Sequence, residues 1–252
     1  MEFNPPLQSG RFIRRYKRFF AEIAGAHEDE PLLAHVPNTG TLKGCVEIPA
    51  PCLFTRHDDP KRKLPLTLQM IKTPTSWVGV NTGIAPQLVW EAWSNGKIWR
   101  EYDCAQREVK VSAHSRIDLV LWNSQGSHAK SAKLGMAQMK DSAHPLHIVE
   151  IKNVTYANGK HALFPDCVSV RAQKHLRELM AAVQSGHRAE IVFVVQREDC
   201  TRFRAAHECD PAYARILKEA HQNGVEISVY SCRFGPQSIE LTEKRLPVDM
   251  EA

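Results

Sequence analysis

The chain has 252 residues, of which 43% are hydrophobic and 24% charged, a balance typical of globular proteins rather than disordered or fibrous ones. No apolar run approaches the roughly 18 residues that span a bilayer, and the N-terminus lacks the apolar core of a secretory signal. The seven cysteines are odd in number and show no C-x-x-C spacing. We therefore expect reduced thiols, no structural zinc and a cytoplasmic location.

The net charge is +5 with a pI of about 8.8, a mild basic bias that is concentrated near the N-terminus. The basic residues of that segment are Arg11, Arg14, Arg15, Lys17 and Arg18, and its aromatic residues are Phe12, Tyr16, Phe19 and Phe20. Such a pattern fits either a solvated strand or turn, or a surface that follows a phosphate backbone and offers rings to bases.

Residues 8 to about 72 show no convincing helical period. Strand-like runs occur at Leu32–Val36, Gly44–Ile48, Cys52–Arg56 and Leu66–Ile71, and turn-forming sequences rich in Pro, Asn, Asp and Gly separate them. Short strands with such punctuation predict a small barrel or sandwich, and a five-stranded OB-like barrel suits this length. We place this domain at residues 1–80. The sequence Pro37-Asn38-Thr39-Gly40 is either a structural turn or part of a site.

Beyond about residue 80 the pattern alternates between strands and helices. Helices are predicted at Pro86–Trp93 and Ser169–Ser185, and a third begins at Asp210-Pro211 and ends at Asn223-Gly224. Strands are predicted at Glu108–Val111, Ile117–Trp122, Leu146–Lys152, Ile191–Val195 and Val225–Tyr230. The order indicates an α/β domain with a mixed central sheet over residues 81–252, so that the whole chain is α+β. The segment Asn123–Pro145 is predicted to be a long loop of undetermined role.

Charged residues at strand ends are the chemically suggestive feature of this second domain. Glu150 and Lys152 alternate along one strand and therefore project on the same face, where Asp118 meets them if the two strands form a hairpin. Two carboxylates and a lysine are what metal-assisted phosphodiester hydrolysis needs, with Mg²⁺ or Mn²⁺ as the expected ion. A buried salt bridge between Lys152 and either carboxylate is the competing interpretation.

Asp118, a hairpin, Glu150-x-Lys152 and a following helix together resemble the PD-(D/E)xK nuclease fold. The resemblance implies that Asp118 and Glu150 hold the metal, that Lys152 assists the water, and that Glu91 on the preceding helix joins the catalytic set. It also implies a supporting polar side chain on the helix after the motif. Arg171 or Lys174 is the expected residue for that role.

A closer resemblance covers nearly the whole chain. It rests on Leu33–Gly40, Val80-Asn81-Thr82 with Leu88–Ala92, Ser115–Asp118, Val149–Thr155, and Phe164-Pro165-Asp166 with Lys174-His175-Leu176, in that order. These motifs resemble the sugar fermentation stimulation protein family (SfsA). The resemblance implies an N-terminal OB-like domain, a nuclease-like C-terminal domain, non-specific DNA binding and a regulatory role in sugar (maltose) metabolism.

The sequence thus favours a non-sequence-specific DNA-binding protein with a magnesium-dependent nuclease site. The alternative is a non-catalytic DNA-binding regulator of sugar metabolism genes, whereas a small-molecule sugar enzyme has no recognisable site pattern in this sequence. The predicted DNA-binding residues are Arg11, Arg14, Arg15, Lys17, Arg116, Arg171 and Lys174. No membrane partner is expected, and the oligomeric state is open, a homodimer included.

Overall fold

The structure, a computed structural model, describes residues 1–25, 30–45, 49–112, 115–125, 133–135 and 144–250. These residues form an N-terminal barrel and a C-terminal domain built on a sheet. Their three helices are α1 (Ile84–Ser94), α2 (Val170–Gln184) and α3 (Pro211–Gln222). None of these helices has the length and apolar character that crossing a bilayer would require.

The barrel contains the strands β1 (Leu7–Tyr16), β2 (Phe20–Gly25), β3 (Leu32–His35), β4 (Ala50–Arg56), β5 (Leu66–Lys72) and β6 (Trp77–Gly79). They are ordered β3-β2-β1-β4-β5-β6, and a parallel pairing of β3 with β5 closes the first five strands into a barrel. Inward-facing residues of successive strands fill it, among them Phe12, Ile23, Phe54 and Leu68, all at most 2% exposed. The predicted OB-like barrel is confirmed.

Two details of the barrel go beyond or differ from the sequence prediction. β1 and β2 form a hairpin, with Tyr16 opposite Phe20, over the basic segment that the sequence left open between a solvated strand or turn and a binding surface. The predicted strand Gly44–Ile48 is not formed at its start, because Gly44 and Cys45 belong to a turn. Its remaining residues, 46–48, lie outside the described residues.

The C-terminal strands are β7 (Cys104–Ser112), β8 (Ser115–Trp122), β9 (His147–Val154), β10 (Tyr156–Asn158), β11 (His161–Phe164), β12 (Arg188–Val195), β13 (Arg202–Ala205), β14 (Glu226–Phe234), β15 (Ile239–Arg245) and β16 (Val248–Asp249). The main sheet has the order β15-β14-β12-β9-β8-β7, with β9, β12 and β14 parallel and the other pairs antiparallel. The predicted mixed central sheet is confirmed. A smaller sheet, β10-β11-β13-β16, was not predicted.

Alternate residues of the central strands fill two separate cores. Ile148 and Ile191 face α2 and α3, whereas Val149 and Val192 face α1. The helices cover both faces of β9, so a polar side chain on this strand is buried unless it lies near the strand's C-terminal end. Glu150 and Lys152 share the face of Ile148 because side chains alternate along a strand.

The helix ends are set by residues recognisable in the sequence. The Ser169 hydroxyl accepts the amide of Ala172 at 3.3 Å, and the Asp210 carboxylate accepts the amide of Tyr213 at 2.9 Å with Pro211 in the first turn. The three predicted helices are therefore present. Most of the predicted loop Asn123–Pro145 lies outside the described residues. In its described part the Leu134 amide donates to the Gln106 side chain at 2.7 Å.

Candidate functional site

The antiparallel pairing of β8 with β9 brings Asp118 to the Glu150–Lys152 segment. The regular ladder runs as far as the pair Leu119–Val149. Just beyond it, the Asp118 carboxylate accepts the backbone amide of Ile151 at 2.7 Å. The hairpin that the sequence suggested therefore exists, and it places Asp118 beside the E-x-K motif.

Glu150 lies at the centre of a buried polar cluster. Lys152 Nζ donates to Glu150 Oε1 at 2.5 Å and lies 3.2 Å from His175 Nδ1, which also contacts that oxygen. Glu150 is 2% exposed and His175 is 4% exposed. Burial disfavours the Glu150 anion, but the Lys152 charge and the His175 ring outweigh burial and hold its pKa below the ordinary value.

Asp118 is shifted in the opposite direction. Burial and the nearby Glu150 charge raise the pKa of Asp118 from 3.8 to about 6, although the Ile151 amide and Lys152 favour its anion. The two carboxyl groups are therefore close enough to oppose each other's ionisation. A site that pushes two neighbouring carboxyl pKa values apart in this way is a functional candidate on physical grounds.

These residues lie in a cleft of about 550 Å³ between the barrel and the C-terminal domain. Asp118, Glu150 and Lys152 contribute to its lining from the central sheet. The barrel contributes Arg18 and the segment Asn38–Gly40, and the approach to α2 contributes 163–172. The Pro37–Gly40 turn singled out in the sequence therefore borders the cleft.

Hydrogen bonds between the domains hold the barrel side of the cleft in place. Asp166 accepts the amide of Leu42 at 2.9 Å and the hydroxyl of Thr41 at 3.0 Å. Gly40 is packed so closely that an added Cβ would lie 2.5 Å from an Asp166 oxygen. Arg15 donates to the Asn38 and Gly40 carbonyls at 2.6 and 2.9 Å. Arg15 of the barrel and Asp166 of the C-terminal domain thus hold the barrel side of the cleft in place.

Glu91, predicted to join the catalytic set, lies elsewhere. Its carboxylate is 2.9 Å from the N-terminal ammonium of Met1 and accepts a hydrogen bond from Gln87 at 3.0 Å. It lines a separate small cleft with Lys97 and Glu240. The structure does not bring Glu91 to Asp118 and Glu150, because the N-terminal half of α1, not its C-terminal half, borders the main cleft.

The predicted DNA-binding residues occupy several positions. Arg11, Lys17 and Arg116 are exposed, and Arg14 is 63% exposed and paired with Glu22 at 2.6 Å. Arg15 instead supports the cleft wall.

On α2, the helix that follows the E-x-K motif, the polar residues are placed differently from the sequence expectation. Arg171 is exposed and lines the cleft, while Lys174 is half-exposed and lies 3.5 Å from Glu178. The side chain on α2 that contacts Glu150 is His175 rather than Arg171 or Lys174. His175 lies four residues after Arg171 and therefore on the same face of the helix, which was the sequence signal for its position at the site. Arg18, a further cleft residue, was visible only as part of the basic segment.

The oxygen atoms of the cluster fit a hard divalent cation. Glu150 Oε2 is buried without a hydrogen-bond partner, although Oε1 has two. Within the described ranges no group of three or more His, Cys, Asp or Glu could hold a metal. Mg²⁺ needs only one or two carboxylates when water and substrate phosphate complete its shell. The Lys152–Glu150 contact equally satisfies the salt-bridge interpretation, so the geometry alone supports both.

Comparison with known proteins identifies the family. The model of the SfsA N-terminal OB domain matches residues 13–80, and that of the sugar fermentation stimulation protein RE domain matches residues 83–238. The chain belongs to the sugar fermentation stimulation protein family. Two sugar fermentation stimulation protein homologs illustrate the relation. That of Bdellovibrio bacteriovorus is 42% identical over 99% of this chain and 100% of its own, and that of Geotalea uraniireducens is 41% identical over 97% and 98%.

A solved SfsA structure shares the fold of this family member. The structure of Pyrococcus furiosus SfsA in complex with Ca²⁺ superposes with a TM-score of 0.80 at 25% sequence identity. The match covers 99% of this chain and 98% of the other. The family resemblance seen in the ordered sequence motifs is therefore confirmed over the full length.

Proposed function

We propose that this SfsA-family protein binds DNA without sequence preference and hydrolyses phosphodiester bonds with Mg²⁺ or Mn²⁺. The observation that carries the proposal is the cluster of Asp118, Glu150 and Lys152 in one cleft, with Glu150 Oε2 lacking a partner. A buried carboxylate oxygen without a hydrogen bond is costly unless a ligand completes it. The Ca²⁺ complex of the Pyrococcus furiosus relative adds support, since Ca²⁺ and Mg²⁺ both prefer oxygen ligands.

Each residue of the cluster has a distinct role in this proposal. Asp118 and Glu150 would hold the cation, which would acidify a bound water and offset charge that develops on the phosphate. Lys152, held by Glu150 at 2.5 Å, orients the attacking water and stabilises negative charge beside it. His175 of α2 fixes the positions of Glu150 and Lys152, since it is buried and contacts both.

Binding would rest on the exposed basic residues around the cleft and on the barrel. Arg18 and Arg171 line the cleft, and Arg11, Arg14 and Lys17 extend the positive surface along the β1–β2 hairpin. Contacts of this kind neutralise phosphates and carry no base information, so they give affinity without sequence preference.

A non-catalytic DNA-binding regulator is the second candidate. It is favoured by the direct Lys152–Glu150 ion pair and by the position of Glu91, which leaves two carboxylates, Asp118 and Glu150, rather than three in the cluster. In that case the cluster would be a structural ion pair at the cleft floor.

The two candidates are separated by cleavage assays on single-stranded, duplex and flapped DNA and on RNA, each with Mg²⁺, Mn²⁺ or chelator. The nuclease proposal expects metal-dependent cleavage that is abolished in Asp118→Asn and Lys152→Ala but retained in Lys244→Ala, an exposed lysine on β15. Mn²⁺ binding should be lost in Asp118→Asn and retained in Lys152→Ala, since lysine is not a ligand. Wild-type protein that binds DNA but cleaves none of these substrates would establish the regulator.

A further inference from the structure

Exposed large hydrophobic side chains are few in the described part of the chain. They are Phe19, Val168 and Val170, exposed by 41%, 66% and 72%. Val168 and Val170 line the main cleft, and Phe19 directly follows Arg18, which lines it too. We call these three residues the apolar rim. Single exposed apolar residues need no explanation, but here two line one charged cleft and the third is adjacent in sequence to an arginine that lines it.

The apolar rim is accompanied by positive charge. Arg18 and Arg171 are exposed residues of the same cleft, one from the barrel and one from the first turn of α2. Adjacent apolar and cationic side chains match the two chemical parts of a nucleotide, the flat base and the anionic phosphate. A purely anionic ligand would leave the apolar rim without a function, and a purely apolar ligand would leave the arginines unpaired.

We propose that the apolar rim contacts the bases of an unpaired strand, so that the site takes single-stranded or frayed DNA in preference to intact duplex. This inference rests on the proposed function and names its substrate class. In a duplex the base faces are stacked on one another and only base edges and phosphates are accessible. The rim could then contact no base face, and only the arginines would contribute as they do to a single strand.

The size of the cleft agrees with an unpaired strand. Its volume of about 550 Å³ falls in the range of pockets that enclose a small molecule. Placing a whole nucleotide of a duplex inside a pocket of this size would require extruding or unpairing it, which costs a few kcal/mol. A strand that is already unpaired avoids that cost, while the carboxylate cluster at the floor stays within reach of its backbone.

The test compares binding to an unpaired deoxythymidine oligonucleotide with binding to a blunt hairpin duplex of equal phosphate number, by fluorescence anisotropy in chelator at constant salt. Wild-type protein should bind the single strand more tightly. The double variant Val168→Ser/Val170→Ser should lose about fivefold or more of single-strand affinity, through lost apolar contact, and little duplex affinity. Both residues are largely exposed, so folding should be retained.

Charge variants on one helix provide the matched control. Arg171→Gln should weaken both ligands about equally, since a phosphate contact is common to them, whereas Arg177→Gln, exposed on the same helix outside the cleft lining, should weaken neither. The inference would be overturned if wild-type protein bound the two ligands with equal affinity, or if the double valine variant lost as much duplex affinity as single-strand affinity. Because the assay contains no metal, its outcome is independent of cleavage. A nuclease that prefers duplex would refute the inference and leave the proposed function intact.

Discussion

The Asp118 carboxylate accepts the backbone amide of Ile151, the residue that separates Glu150 from Lys152. Where the backbone hydrogen bonds between β8 and β9 end, a side chain of β8 thus provides the next hydrogen bond to β9. It orients the strand that carries both motif residues. Because Asp118 is held there, its carboxyl group is buried and stays close to Glu150, and burial together with the Glu150 charge raises the pKa of Asp118 to about 6.

This raised pKa predicts how stability depends on pH. In metal-free protein, Asp118 retains its proton to higher pH in the folded state than in the unfolded chain, so its contribution to stability falls as pH rises from 3.8 to about 6. Above that range the free energy of unfolding of Asp118→Asn should exceed that of wild type by about 1–3 kcal/mol, since one pKa unit corresponds to about 1.4 kcal/mol. Below about pH 4 the difference should vanish. Urea denaturation in chelator at both pH values measures it.

Two comparisons make this prediction specific. Asp58→Asn, an exposed aspartate in the loop between β4 and β5, should show no such gain. Adding Mg²⁺ at neutral pH should stabilise wild type and not Asp118→Asn, because a ligand that binds only the folded state stabilises it. An Asp118→Asn protein that is less stable at neutral pH would instead identify Asp118 as a member of a structural ion pair.

The position of Glu91 leads to a second prediction. Glu91→Gln should leave Mn²⁺ affinity and DNA cleavage unchanged, because the carboxylate binds the Met1 ammonium rather than the cluster. Stability should fall by less than about 1 kcal/mol, as for a partly exposed ion pair. Calorimetric titration with Mn²⁺ and a cleavage assay check both statements. Loss of cleavage in Glu91→Gln, with folding intact, would contradict the separation of Glu91 from the site.

Neighbouring arginines on β1 lead to a third prediction, because they have different tasks. Arg14→Gln should lower DNA affinity for unrelated sequences equally and reduce the log–log salt slope by about 0.9, the value for one duplex phosphate. Arg15→Gln should also destabilise the protein, since Arg15 donates to the Asn38 and Gly40 carbonyls that border the cleft. A loss of about 1–3 kcal/mol is expected for acceptors left without a partner. Identical effects of the two substitutions on stability would refute this division of roles.

The parts of the fold that the sequence predicted are those determined locally. Ser169 and Asp210 mark the starts of α2 and α3, because their side chains cap the helix N-termini. The alternation of Glu150 and Lys152 along β9 fixes their common face, and a hairpin then suffices to add Asp118. The proximity of Asp118, Glu150 and Lys152 could therefore be predicted from strand pairing, whereas the roles expected of them came from the family resemblance.

The parts that the sequence did not predict depend on unusual turns or on long-range packing. The β1–β2 hairpin turns at Lys17 and Arg18, whose φ values of 45° and 65° are conformations normally taken by Gly or Asn. The strands β10, β11, β13 and β16 have four residues or fewer, too short for a periodic signal. The contact of Asp166 with Leu42 joins residues 124 positions apart, and only the packing of the two domains decides it.

The contact of His175 with Glu150 carries the last prediction. His175→Ala should lower cleavage or metal affinity about 10- to 100-fold, as is typical when a side chain that orients a ligand is removed. DNA affinity should be unchanged, because His175 is 4% exposed and offers little surface to a ligand. His175→Gln should recover part of the loss, since an amide can still hydrogen-bond Glu150 Oε1. His221→Ala, an exposed histidine at the end of α3, serves as the control. Cleavage and Mn²⁺ titration should therefore rank wild type and His221→Ala above His175→Gln, and His175→Ala last. If both His175 variants cleave as wild type does, Glu150 and Lys152 are positioned without the ring, and α2 does not orient the carboxylate proposed to bind metal.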